Sequence, residues 1–463
     1  MTNILNIIFF IFLAFKYSYQ CIVLNFKTNI DLNKLNEENY MNTTFGQKLY
    51  VNFNIGDSHQ IIPMTLTTQQ LPTYVVSSSL KDNTSIKYNE TKSINSFHKI
   101  VDYLIEELYK YDVLSGYFVN DTLLFNSSLI FNNFTYILAT KIKSTVKNIS
   151  GEIGLSIKKQ EVYPYLYPDS TQFLEQLKDN KLINKKIFGI VYDTEYEGRL
   201  ILGNYLNTID ELYNEDEMIT NYIEDIYDEN RDKWHINFNV KLTGQQDNEE
   251  VYVEEDTYGL IIYEIGLIVG SSSFRKNFLE KYFKDRGCIE EMISSKPFGF
   301  YQYSCDKIEQ FSDFPNISFS LPGKYLFNFT KNELFKKIGK KYVFQIVFQV
   351  ISLNINYWRL GQFFFRKYIT FFNWNEKQST FSYYPFKHIK NQEKRISFEF
   401  ILIIILCIIL LFFIGVIIYF YLFWEKKKRK KKAQELKEDE EYDYTPADGF
   451  MPKSDKKIIN DNI

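Results

Sequence analysis

The segment from Phe400 to Trp424 contains no charged residue. As a helix rising 1.5 Å per residue it extends about 37 Å, enough to cross a hydrocarbon core of about 30 Å with some tilt. Tyr419, Tyr421 and Trp424 stand at its C-terminal end, where aromatic rings favour the membrane interface. The run Lys426-Lys427-Lys428-Arg429-Lys430-Lys431-Lys432 follows at once, and a basic cluster in that position predicts a cytosolic side. The spacing therefore predicts a single-pass type I membrane protein, with a transmembrane helix over 400–424 and a cytosolic tail over 425–463. Everything before the helix then lies on the luminal or extracellular side, in the secretory pathway or at the cell surface. Contact of Lys426–Lys432 with anionic lipids is expected, at about 1 kcal/mol per basic residue near the surface.

The N-terminus agrees with that topology. Ile4 to Phe15 is apolar, and small or polar residues follow from Ser18 to Cys21, which reads as a signal peptide over 1–21. A buried N-terminal strand is the alternative. Asn42, Asn83, Asn89, Asn120, Asn126, Asn133, Asn148, Asn316 and Asn328 each begin an Asn-x-Ser/Thr triplet, and all lie between the two apolar runs, so a glycoprotein is expected. The net charge of −3 argues against a nucleic-acid binder, and an aromatic content of 18 % is too apolar for a disordered chain. Four Cys and four His cannot supply a dense disulfide scaffold or a multi-ligand metal array, so no metal or cofactor is expected. Cys288 and Cys305 both fall in the secreted part and are expected to form a disulfide, worth roughly 3 kcal/mol. Cys21 leaves with the signal peptide if cleavage follows it, and Cys407 is a small apolar residue of the membrane span.

Between these ends the pattern is one of short strands. Apolar or alternating stretches recur at Leu49–Ile55, Leu123–Phe125, Ile187–Tyr192, Arg199–Leu202, Ile236–Val240, Tyr258–Val269, Ile317–Leu321, Val343–Ile351 and Tyr368–Phe372. Helical periods are clear only at Phe173–Leu182 and Phe274–Phe283, with Ser271-Ser272-Ser273 as the turn before the second. This predicts a large all-β ectodomain. The acidic stretch from Asp210 to Asp232 lacks the glycine and spacing of a calcium loop; it reads as a solvated insertion, with a cation site as the alternative. The tail adds a second acidic stretch, Glu438 to Asp443, and is expected to be disordered.

Several segments together resemble the pepsin-like aspartic proteases, peptidase family A1. Tyr50–Gln60 resembles the opening strand and Ile-Gly-Thr-Pro-x-Gln turn, Gly116–Thr122 the Gly-x-x-x-x-Asp-Thr after the flap, and Gly151-Glu152-Ile153-Gly154-Leu155 the Gly-x-x-Gly-Leu strand. Phe173–Leu177, Ile187–Tyr192 and Gly198–Gly203 resemble the end of the first lobe, and Trp234–Phe238 the start of the second. Phe314–Phe319 and Tyr357–Tyr368 resemble the Leu-Pro-x-Ile-x-Phe and Trp-x-Leu-Gly-Asp-x-Phe-x-Arg-x-Tyr segments. The resemblance implies a bilobal all-β fold around a long cleft: a first lobe over 22–205, an acidic inter-lobe segment over 206–233 and a second lobe over 234–390.

That family's chemistry needs one carboxylate from each lobe facing a shared water, one ionised and one protonated. Each begins an Asp-Thr-Gly turn. Here the gap-free count from the flanking motifs places Thr67-Thr68-Gln69 at the first turn and Ile262-Tyr263-Glu264 at the second. Thr67 cannot act as a base near neutral pH, and Ile262 has no proton to exchange. The flap's Tyr-Gly-x-Gly tip reads Tyr109-Lys110-Tyr111-Asp112, keeping the flap tyrosine as Tyr109 without its glycines. Lys or Asp at a tip needing positive φ is expected to be strained. Thr68, Tyr74, Tyr109, Tyr263 and Glu264 are the expected cleft-lining residues. A displaced carboxylate, Glu264 with Asp57, is the route by which activity would be rescued.

Three functions follow from the resemblance and its departures: an inactive pseudoprotease that binds a peptide or protein ligand in the old cleft, an active aspartic endopeptidase, or a structural surface glycoprotein. From Cys21 to Leu49 the basic residues Lys27, Lys34 and Lys48 face Asp31, Glu37 and Glu38, which is too little charge for the basic inhibitory prosegment the family carries. The mature protein is therefore expected to begin between Ser18 and Ile22.

Overall fold

The computed structural model describes residues 21–385, 413 and 415–432, apart from 31–35, 37–38, 70–71, 81–85, 93–96, 108–109, 126–128, 143–149, 158–171, 207–212, 224–232, 245–249, 285, 296–297, 308–312, 322–325, 351–356 and 376–377. The chain divides into two compact units, Met1–His388 and Ile389–Ile463.

The first unit is mostly β and holds two large sheets. One has thirteen strands. Its centre runs, in spatial order, through Ile369–Asn373, Ile187–Tyr192, Glu197–Leu202, Ile22–Thr28, Leu49–Ile55, Gln60–Thr67 and Gly151–Gly154. The other has eleven, with His235–Thr243, Glu250–Ile261, Trp358–Leu360 and Ile268–Gly270 as consecutive neighbours. Alternation explains the one-sided strands: Leu49–Ile55 buries Leu49, Val51, Phe53 and Ile55 and turns the residues between them outward. Continuous apolar runs explain the strands covered on both faces, since every residue of Ile187–Tyr192 is buried.

The last two strands, Ile369–Asn373 and Thr380–Tyr384, belong to the thirteen-stranded sheet that carries the first-lobe strands. Ile369–Asn373 pairs antiparallel with Ile187–Tyr192. Phe188 stacks on Phe372 at 4.9 Å, and Trp234 meets both rings edge-on. Trp234 is fully buried and donates its indole N–H to the Leu155 carbonyl at 2.6 Å. A single apolar core thus runs from the first-lobe strands into the second.

Two long apolar stretches prove to be broken strands. Tyr258–Val269 separates into Glu250–Ile261 and Ile268–Gly270, because residues 262–267 leave the sheet. Val343–Ile351 separates at Gln345 into Lys341–Phe344 and Ile346–Gln349. The helix expected at Phe274–Phe283 starts at Ser272 and passes through a π-helical turn at Arg275–Leu279. Ser271 caps it, its hydroxyl accepting from the Phe274 N–H at 3.1 Å. Cys288 and Cys305 are joined, closing the hairpin of Ile289–Ser295 and Phe298–Cys305.

In the second unit residues 415–432 are helical, so the helix continues through the basic run, for which Lys and Arg have good propensity. Among the described residues no helix is long and apolar enough to cross a membrane. The apolar residues 400–412, Cys407 among them, lie outside the described residues, as do the signal peptide and the acidic tail stretch.

Ile22–Thr28 lies inside the sheet, paired on one side with Glu197–Leu202 and on the other with Leu49–Ile55, and it buries Ile22, Leu24 and Phe26. Losing it would strip two strands of their ladder partner. N-terminal sequencing of native protein before and after incubation near pH 4 is expected to give one unchanged N-terminus ahead of this strand. A new N-terminus near Tyr40 after acid treatment would contradict that and indicate a zymogen.

Candidate active site

Gln60–Thr67 ends at the middle of the first unit, with Thr65 and Thr67 beside Glu152 and Gly154 of the parallel strand Gly151–Gly154. The two expected turns meet at this point. Thr68 donates its hydroxyl to the Ile261 carbonyl at 2.7 Å, and the Gln69 side-chain amide reaches the same carbonyl at 3.2 Å. Glu264 likewise accepts hydrogen bonds from the Thr67 hydroxyl and, at 3.1 Å, from the Thr68 N–H. The Gln69 N–H closes the turn onto the Thr67 hydroxyl oxygen at 3.2 Å. All four hydrogen bonds across the junction thus run from donors of the first turn to acceptors at the second, and the groups that make them are buried or half-buried.

Gly266 explains how close the second turn comes. A Cβ there would lie 1.9 Å from the Thr44 carbonyl oxygen, so only glycine fits. Gln362 supports the turn from behind, its amide donating to the carbonyls of Tyr263 and Gln47, both at 2.7 Å. Ile262 packs with Tyr40, Phe45, Leu260, Ile265 and Leu267, and its N–H donates to the Leu360 carbonyl at 3.0 Å.

Glu264 is the site's unusual group. One carboxyl oxygen takes the two hydrogen bonds from the first turn, and the other is buried with no hydrogen-bond partner. Burial pushes its carboxyl up to about 7; the Thr67 hydrogen bond and Lys48 oppose the shift, and the charge on Glu152 adds to it. Glu152 is itself buried and lies 3.7 Å from the Lys48 ammonium. The centre therefore holds a carboxyl from each side of the junction, Glu152 and Glu264, with Lys48 between sheet and solvent. Glu152 was legible only as an acidic residue within an otherwise apolar, glycine-flanked strand; Lys48 gave no sign in the sequence.

The family model for eukaryotic aspartyl proteases matches residues 46–384. The chain belongs to the aspartyl protease family. No curated protein matches its sequence. The two turns expected from the resemblance to this family face one another.

The other expected cleft residues fare differently. Tyr263 is fully buried against Phe365, its hydroxyl 3.3 Å from that of Thr370, and burial drives its phenol well above the usual range. Tyr74 packs in a small core with Val76, Ile137 and Ala139. Thr68 is committed to the junction. Tyr74, Tyr263 and Thr68 are thus all buried.

Phe97–Glu107 and Lys110–Leu124 pair as far as Glu107 and Lys110. Tyr109 lies outside the described residues. Lys110 and Asp112 pair in the strand, which removes the expected need for positive φ there. Asp57 is exposed on the turn after Ile55, with Thr122 donating to it at 3.4 Å, and takes no part in the centre. Among the described residues no group of three or more His, Cys, Asp or Glu is placed to hold a metal ion. Of the sequons, Asn42 and Asn133 are exposed and Asn89, Asn120, Asn316 and Asn328 half-buried, while Asn83, Asn126 and Asn148 lie outside the described residues.

The raised Glu264 carboxyl sets a pH signature. The folded state keeps its proton up to about pH 7, whereas the unfolded chain releases it near 4.5. Stability from this group is full below 4.5 and is lost as pH rises to 7, by up to about 3 kcal/mol. Glu264→Gln keeps an acceptor for Thr67 and Thr68 but cannot ionise. Thermal unfolding between pH 5 and 8 is expected to show wild type losing stability relative to E264Q as pH rises; parallel curves would contradict the assignment.

Proposed function

We propose that this chain is a membrane-anchored pepsin-like pseudoprotease, a protein whose cleft binds a peptide or protein ligand without cleaving it. The observation that carries the reading is the junction itself. Ile262 has no ionisable group, Thr67 has its hydroxyl committed to Glu264, and the Glu264 carboxyl occupies the space between the turns where two facing carboxylates and a water would be needed. A general acid–base pair needs one ionised and one protonated group in reach of the scissile bond. The junction instead uses its polar atoms to bind the lobes to each other.

Anchoring rests on the uncharged run 400–424 and the basic run after it. In the described part of the second unit, Ile417, Phe420, Phe423 and Trp424 are all more than half exposed, an apolar surface that water would not favour and lipid would. Tyr419, Tyr421 and Trp424 precede Lys426 to Lys432, the arrangement that suits an interface with anionic lipid.

A second reading has a specific observation behind it. Glu264 and Glu152 are two buried carboxyl groups from opposite sides of the junction, and the charge of one raises the pKa of the other. A displaced dyad made of these two would be an aspartic-type endopeptidase. Incubation of the purified ectodomain with a broad peptide library between pH 3.5 and 6.5 separates the readings. The pseudoprotease reading expects no cleavage. Cleavage that a transition-state-analogue inhibitor blocks, and that Glu264→Gln or Glu152→Gln abolishes, would establish the displaced dyad instead.

A further inference from the structure

A cavity of about 530 Å³ opens between the first-lobe turn 193–196 and second-lobe elements: the helix Lys331–Leu334, the strand Phe335–Ile338 and the helix Gln362–Lys367. It lies within the range of small-molecule sites. Its apolar wall is Phe329, Phe335 and Phe363, with Phe329 and Phe363 stacked at 5.5 Å. Its charged wall holds four cations, Lys336, Lys337, Arg366 and Lys367, against two carboxylates, Glu195 and Glu333.

Both carboxylates are spoken for. Glu195 pairs with Lys336 and, at 3.3 Å, with Arg366. Glu333 pairs with Lys367 at 2.6 Å and accepts from the Thr330 N–H at 2.8 Å and the Thr330 hydroxyl at 2.9 Å. Burial alone would raise both carboxyl groups, but Lys336 and Lys367 outweigh it and hold them below the ordinary range. Their pairs therefore persist in mildly acidic surroundings, and the excess of positive charge with them. Lys337 carries part of that excess, the rest lying on Lys336 and Arg366, which share Glu195: among the described residues no carboxylate pairs with Lys337, and its ammonium stands 5.8 Å from the Tyr342 ring centre. Lys367 sits 5.2 Å over the Phe329 ring, at the seam between the charged and apolar walls.

We propose that this cavity is a binding site for an amphipathic organic anion, its carboxylate or phosphate head at Lys337 and Lys367 and its aromatic or aliphatic body against Phe329 and Phe363. The site lies apart from the Thr67–Glu264 junction and does not depend on how the cleft functions. A ligand there would touch both lobes, since Glu195 belongs to the first and the remaining wall to the second.

Calorimetric titration of the full chain in neutral detergent with 3-phenylpropionate, phenyl phosphate, neutral 3-phenylpropanol, acetate and inorganic phosphate tests the proposal. One or both aromatic anions should bind more tightly than the alcohol and than either bare head group, and added salt should weaken them. Preference between the two aromatic anions identifies the head group. Lys337→Glu should weaken that anion roughly tenfold or more, since it reverses a charge at the head position. Lys337→Met, which keeps the stem, should give a smaller loss, and the unfolding midpoint should stay unchanged in both because Lys337 is exposed. Equal binding of the alcohol and the anions, no binding of either anion at millimolar concentration, or a Lys337→Glu variant that binds as wild type would each overturn the proposal.

Discussion

The structure turns on four hydrogen bonds that the first turn donates to the second across the lobe junction. The Thr68 hydroxyl and the Gln69 amide donate to the Ile261 carbonyl, and the Thr67 hydroxyl and the Thr68 N–H donate to the Glu264 carboxyl. These groups have little or no access to water, so each bond lost would leave a buried polar atom unsatisfied, at about 1–3 kcal/mol. The close approach this requires is set by Gly266 against the Thr44 carbonyl and by Gln362 bridging Tyr263 and Gln47. The junction thus ties the two turns together.

The same contact carries a cost that accounts for its pH behaviour. Glu264 has two oxygens and the first turn supplies donors for one; the second is buried without a partner. Ionising the group would place a charge in a low-dielectric site near Glu152, and Lys48 offsets this only in part. The protonated form is the one the junction accommodates. A carboxyl kept neutral to about pH 7 suits a clamp that holds at mildly acidic pH, where its proton is retained.

Much of the fold was legible because strand signals are local. Leu49–Ile55 and Ile187–Tyr192 appear with the bounds that alternation and continuous apolarity give them. What sequence could not supply was where a continuous apolar run leaves its sheet: residues 262–267 read as strand, yet they turn out of it, with Gly266 packed against the Thr44 carbonyl and its N–H donating to the Phe45 carbonyl. The crossing of Ile369–Asn373 into the first-lobe sheet was hidden for the same reason, since partner choice is a long-range property. At the site, Thr67, Thr68 and Ile262 could be placed by counting from motifs. The burial of Tyr74 and Tyr263 could not, because an aromatic ring is equally at home in a cleft or in a core. The role of Glu264 emerged only when its reach across the junction was visible, and Glu152 only once it stood beside it.

The most direct test is the ionisation of Glu264 itself, followed by NMR of the ectodomain labelled with ¹³C at glutamate side-chain carboxyls and assigned by Glu264→Gln. The expected midpoint is about 7, and it should move when Thr67→Val removes the hydroxyl, because that hydroxyl donates to the carboxyl across the lobes. A midpoint near the ordinary 4.5, unaffected by Thr67→Val, would show that Glu264 is solvated and that the lobes are not joined through it.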